Sequence, residues 1–208
     1  MGIDAPCPRP YTQGQHPEKT ADFSAAHARK TMPRTSRLEK DSSMDDIDRI
    51  FLAMTEYFSG DARRIQHFVK VHAFARLLGR EEGLNAETQF ILEAAALVHD
   101  IGIKKAEAIY GSASGALQEK EGPAEAEKLL QKLGLPSGVV ERVCYLVGHH
   151  HTYANRDGAD YRILVEADFL VNLHDDGESP AAVRAALERV FSTPGGKALC
   201  RTMFGLKD

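Results

Sequence analysis

The chain has 208 residues, 43% of them hydrophobic, with a formal net charge of -4 and nine histidines. That length and apolar content suit one soluble domain with a sizeable core, plus room for a tail. The weak negative charge leaves no electrostatic footprint for nucleic-acid or membrane binding, so composition favours a small-molecule partner.

Cys7, Cys144 and Cys200 show no C-x-x-C spacing. They support neither a disulfide framework nor a zinc knuckle, and a cytoplasmic location is expected. No run approaches the roughly 18 to 20 apolar residues of a membrane span, and the first thirty residues lack a signal-peptide core.

Residues 1–43 hold five of the nine prolines and no helical or strand period, so a disordered, dispensable tail is expected there. The tail carries +2, which leaves -6 for residues 44–208, read as a single domain. Met44 directly precedes the first periodic segment and is the expected natural start of translation.

From Ser43, with Asp46 at capping-box-like spacing, Ile47, Ile50, Phe51, Met54 and Phe58 predict a first helix ending at Gly60. A second runs from about Asp61 to Gly83, with a core-facing stripe of His67, Val71, Phe74 and Leu78. Asn85 and Thr88 open a third, whose apolar positions end in His99 and Asp100 before Gly102. A loop of about twenty residues is expected next, containing Lys104, Lys105, Tyr110 and the Gly-Ser-Ala-Ser-Gly run from Gly111 to Gly115. Gly122 and Pro123 then open a fourth helix that reaches Gly134. Pro136 opens a fifth, with Val139, Val143, Leu146, Val147 and His150 on one stripe. The sixth, Tyr161 to His174, places Asp168 on the stripe of Tyr161, Leu164 and Val171. Ser179 and Pro180 cap a seventh through Phe191, and a short last one spans Gly196 to Phe204 with Leu199 and Met203 inward. With no alternating run anywhere, the expected fold is an all-α bundle of seven or eight helices.

Asp168 is costly where it stands, because a buried carboxylate needs a partner or a cation. Adjacent His99 and Asp100 point about 100° apart on a helix and have no routine shared packing use, yet at a helix end they can converge on one ion. His67, His99, Asp100 and Asp168 together form a mixed N/O set suited to Mn, Fe, Ni, Co or Zn, with Mg also admissible and Ca less so. Taken singly, each has a plainer explanation: a core histidine bonded to a carbonyl for His67, a helix-end cation beside a solvated carboxylate for His99 and Asp100, an ion pair with Arg63 or Arg162 for Asp168.

His67, the His99-Asp100 dipeptide 32 residues on and Asp168 a further 68 residues on, in an all-helical chain with Gly102 after the dipeptide and Glu-Ala-Asp-Phe-Leu around Asp168, resemble the HD-domain metal-dependent phosphohydrolase superfamily. The resemblance runs from about Ile47 to His174 and implies that these four residues bind a divalent metal. The chain has no GYP signature, and it carries Glu121 where two-metal members often place a histidine. Glu121 reads either as a ligand or as a first-turn carboxylate on the helix dipole. His149 and His150 read either as a polar helix end or as a second metal or substrate site, whereas His151 and His174 are expected to be exposed.

The implied function is metal-dependent hydrolysis of a phosphate mono- or diester, in a nucleotide or other small phosphorylated metabolite, by attack of metal-activated water. Asp100 is expected to act as ligand and as base for, or orienter of, that water. Lys104 and Lys70 are expected to offset charge on the phosphoryl group. Two further readings stay open: an HD-type di-iron oxygenase using Glu121, His149 and His150, and a non-catalytic metal- or ligand-binding module. The expected partner is a small phosphorylated substrate, with no nucleic-acid polymer and no membrane. A homo-oligomer is compatible with the sequence, but no heptad run is long enough for a coiled coil.

Overall fold

Helices begin where the sequence supplies side-chain caps for the orphan N–H groups of a first turn. In the computed structural model, which describes residues 44–154 and 156–207, Asp45 caps α1 (Asp46–Tyr57) by accepting from the Asp48 N–H at 2.8 Å. Ser43, the expected tail and the expected boundary at Met44 concern a segment that lies outside the described residues up to 43. Asp61 caps α2 (Ala62–Glu81) and Asn85 caps α3 (Ala86–Val98) in the same way.

The expected long loop is a helix and a turn. Helix α4 (Gly102–Tyr110) follows α3 almost directly, ends at Gly111 with φ 65°, and gives way within four residues to α5 (Gly115–Lys132). Pro123 therefore sits inside α5 rather than opening it. Close packing explains the arrangement: a Cβ on Gly102 would lie 2.6 Å from the Gln118 carbonyl oxygen and 2.7 Å from the Gly122 nitrogen. Only a residue without a side chain lets these two backbones touch.

The chain continues through α6 (Ser137–Val147), α7 (Gly158–Asp175), α8 (Pro180–Arg189) and α9 (Pro194–Met203), and no strand occurs among the described residues. Helices α3 and α7 form the centre. Every residue from Ile91 to Val98 is buried, and α7 is buried on nearly all sides. Helix α2 lies against both, α1 and α6 lie against α3, and α4, α5 and α6 pack in sequence. On α9, Leu199 packs against the core as expected and Cys200 is fully buried, whereas Met203 is exposed.

On α7, the Glu166 side chain points away from Asp168's surroundings into the chain segment before α9. Its fully buried carboxylate accepts from the Ser192 and Thr193 N–H groups at 2.6 and 2.9 Å and from both hydroxyls. These charge-assisted bonds replace the water that burial removed.

Candidate metal centre

Four helices deliver polar side chains to one point. The deepest stripe of α2 is Phe68, Val71, Ala75 and Leu78, so His67 stands at its edge with its side chain 14% exposed. The apolar run of α3 ends in fully buried His99 and in Asp100. Asp168 comes from α7, and His150 lies just past the end of α6.

His67 Nε2 stands 3.2 Å from His99 Nε2 and 3.2 Å from Asp168 Oδ1. Asp100 Oδ2 is 3.5 Å from each imidazole nitrogen, and Asp168 Oδ1 is 3.6 Å from His99 Nε2. Ligands bound about 2.1 Å from one ion stand roughly 3.0 to 3.4 Å apart in octahedral or tetrahedral arrangements. The two 3.2 Å pairs meet that test, the 3.5 and 3.6 Å pairs lie slightly beyond it, and Asp168 is in neither of the groups able to hold a metal. His67, His99 and Asp100 form one group able to hold a metal, and Asp100, His150 and His151 form another.

The proton inventory points the same way. His99 Nδ1 is 2.9 Å from the Ala96 carbonyl oxygen, which can only accept, so the ring donates there and its Nε2 faces the cluster. His150 repeats the device, with Nδ1 2.8 Å from the Val147 oxygen. Its Nε2 has no hydrogen-bond partner among the described residues. Without a cation, a proton on His99 supplies the positive charge. Burial alone would lower its pKa, but Asp100 and then Asp168 outweigh burial and raise it to about 9. The carboxyls answer in kind: burial would raise them, yet His99 holds Asp100, and His67 with His99 holds Asp168, well below the usual range. Asp168 also accepts from Asn172 at 3.0 Å, and no arginine pairs with it among the described residues.

Other candidate residues lie elsewhere. Glu121 is held by Lys105 Nζ at 3.0 Å and by the Tyr110 hydroxyl at 2.9 Å, which keep its carboxyl below the ordinary range. Because α5 starts seven residues earlier than expected, Gln118 is the residue that faces the histidines, with Oε1 3.2 Å from His151 Nε2. Nothing in a segment read as loop marked it. His149 stacks on Tyr145 and belongs to neither metal-capable group. His151 is half-buried instead of exposed, and burial followed by its neighbour His150 pushes its pKa down to about 4; His174 is exposed as expected. Lys70 is bound to both oxygens of Asp175, at 2.6 and 2.5 Å, and Lys104 donates to the Tyr57 carbonyl oxygen at 3.0 Å.

The family model for the HD domain matches residues 64–185. The fold is similar to the crystal structure of a predicted HD superfamily hydrolase from an uncultured Thermotogales bacterium. That match has a TM-score of 0.56 and 22% identity, over 76% of this chain and 84% of that one. No curated protein matches the chain. No helix among the described residues is long and apolar enough to cross a membrane.

Proposed function

The chain belongs to the HD-domain family, and from that premise we propose that it is a metal-dependent phosphohydrolase acting on a phosphate mono- or diester of a nucleotide or another small phosphorylated metabolite. The observation that carries the reading is the convergence of His67, His99, Asp100 and Asp168, with each carboxylate 3.2 to 3.6 Å from both imidazole nitrogens. A divalent ion held there supplies a Lewis acid for a phosphoryl oxygen and lowers the pKa of water toward about 7.

The chain's own groups do the positioning. Ala96 fixes the His99 ring and Asn172 fixes Asp168, the kind of outer support that orients ligands. Asp100 turns Oδ2 to the imidazoles of His67 and His99 and leaves Oδ1 toward His150, 3.6 Å from its Nε2, so Oδ1 can orient the attacking water. The water oxygen bonds to phosphorus as the ester P–O bond breaks. One of its protons ends on the departing oxygen, which leaves an alcohol and a phosphate. Lys70 and Lys104, held by Asp175 and the Tyr57 carbonyl, would have to leave those partners to reach a phosphoryl oxygen.

The test is phosphate release from a panel of phosphorylated metabolites by protein loaded with Mn, Fe, Co, Ni, Zn or Mg. Metal-dependent release that Asp100→Ala lowers at least about 100-fold is expected. Equal release by the variant, or by metal-stripped protein, overturns the reading. A second reading, a two-iron oxygenase, would have to draw on the Asp100, His150 and His151 group, because Glu121 and His149 belong to neither group able to hold a metal. That reading requires two irons per chain and oxygen-dependent loss of substrate.

A further inference from the structure

The cations nearest the centre are almost all matched to carboxylates. Arg64 and Lys70 lie three residues before and after His67 on α2, so they flank its side chain. Arg64 donates to Asp61 at 2.9 Å and reaches across to Glu107 of α4 at 2.6 Å. Lys70 is bound to both oxygens of Asp175, at the end of α7. Lys105 is held by Glu121 and Glu125 at 3.0 and 3.4 Å. Exposed Arg63 lies in the field of Asp176, whose carboxyl is pushed up by burial, against the pull of Arg63 and with the push of Glu178 and Asp175. Lys104, four residues past Asp100, differs. It donates to the Tyr57 carbonyl oxygen at 3.0 Å, and its Nζ stands 5.3 Å from the centre of the Tyr57 ring, so both of these partners are neutral.

A neutral partner can be left without stranding a charge, whereas Arg64 or Lys70 turns to a substrate only by abandoning a carboxylate beside it. A phosphoryl group drawn to either one meets Glu107 or Asp175 as a like charge at close range. Within the centre, Asp100 and Asp168 balance the charge of a divalent ion. What is left for the substrate is the single charge of Lys104. That matches a phosphodiester, which carries one negative charge. It leaves uncompensated the second charge of a phosphomonoester and the further charges of a nucleoside triphosphate.

We propose that the centre selects singly charged phosphodiesters, and that Glu107 and Asp175 are specificity-determining residues that keep Arg64 and Lys70 occupied and repel a second negative charge. The proposal rests on the hydrolase reading above. In the reaction, the water oxygen bonds to phosphorus, one of the two ester P–O bonds breaks, and the departing oxygen takes a proton, giving an alcohol and a phosphomonoester. The monoester then releases a proton to solvent and becomes a dianion, which the same carboxylates repel, so the rim that admits the substrate also favours departure of the product.

The test uses a matched pair of probes at about pH 8, phenylphosphonate as the dianion and its monomethyl ester as the monoanion. Each is titrated by calorimetry into the full chain at saturating Mn²⁺. The unaltered protein should bind the monoanion at least about threefold more tightly; equal or tighter binding of the dianion, or binding of neither, overturns the proposal. Glu107→Gln and Asp175→Asn each remove one charge and keep the side chain's shape. Each should tighten phenylphosphonate at least about fivefold and leave its ester within about twofold. No change, or the same change for both probes, overturns the specificity role of that carboxylate. In turnover, kcat/KM for bis(p-nitrophenyl) phosphate should exceed that for p-nitrophenyl phosphate at least about tenfold, and the reverse order overturns the proposal. Hydrolysis of neither ester counts against the hydrolase reading, while the two affinities still decide the charge preference.

Discussion

Helices α2, α3 and α7 on one side and α4, α5 and α6 on the other both face the centre, but they reach it differently. The first three present His67, His99, Asp100 and Asp168 at positions fixed by their own apolar stripes. In the second three, Gln118 is placed by two glycine backbones in contact and His150 by a turn that other helices clamp. Polar residues that interrupt a stripe are set by helical period, whereas those of the second set are set by tertiary partners. Substitutions should therefore act on ion binding in one region and on geometry in the other.

The largest expected effect is in the first region. Asp168→Ala removes a buried carboxylate from between two imidazoles, and calorimetric titration with Mn²⁺ should show binding weakened at least about 100-fold. Unchanged binding would remove α7 from the centre. In the second region, Gly102→Ala puts a methyl group where backbone atoms stand 2.6 to 2.9 Å away. A loss of about 1 to 3 kcal/mol in urea unfolding is expected, and an unchanged midpoint would show that α4 can move off α5.

Proton linkage gives a third test. The unfolded chain releases the His99 proton near pH 6.5 and the folded chain near 9, so the stability this proton brings is complete below 6.5 and is lost as pH rises to about 9. On the acid side, the depressed Asp100 and Asp168 lose their contribution as pH falls through the carboxylate range. His151, neutral in the fold down to about 4, also costs stability below 6.5. The Tm of metal-free protein should thus peak near pH 6.5 and fall toward 9, and saturating Mn²⁺, by replacing the proton, should flatten the fall. A metal-free Tm that climbs from 6.5 to 9 contradicts the charge arrangement around His99. The smallest effect is reserved for Glu121→Gln: with that side chain turned to Lys105 and Tyr110, Mn²⁺ affinity should stay within about threefold. A larger loss would draw α5 into ion binding.

The same division explains what the sequence made legible. The all-helical architecture, the caps at Asn85 and Ser179, and the four polar residues on or ending apolar stripes follow from local spacing. Helix α4 was hidden because Ile101 offers no side-chain cap and Gly102 reads as a stop. Pro123 is a frequent first-turn residue, so its place inside α5 cost the reading Gln118 and shifted attention to Glu121. The burial of His151 comes from Gly115 and Gln118, neither of which is its neighbour in the chain.

Glu166 ties the end of the chain to this centre. Two residues from Asp168 on the same helix, it is a buried anion whose donors all come from Ser192 and Thr193, just ahead of α9. Trimming the chain before Ser192 would strip that anion of every one of these donors and leave a lone charge inside α7. The helix would then have to shift to bring it to water, and Asp168 would move with it. Cleavage ahead of Ser192 is therefore expected to disturb the candidate metal centre through Glu166, a long way along the chain from His67 and His99.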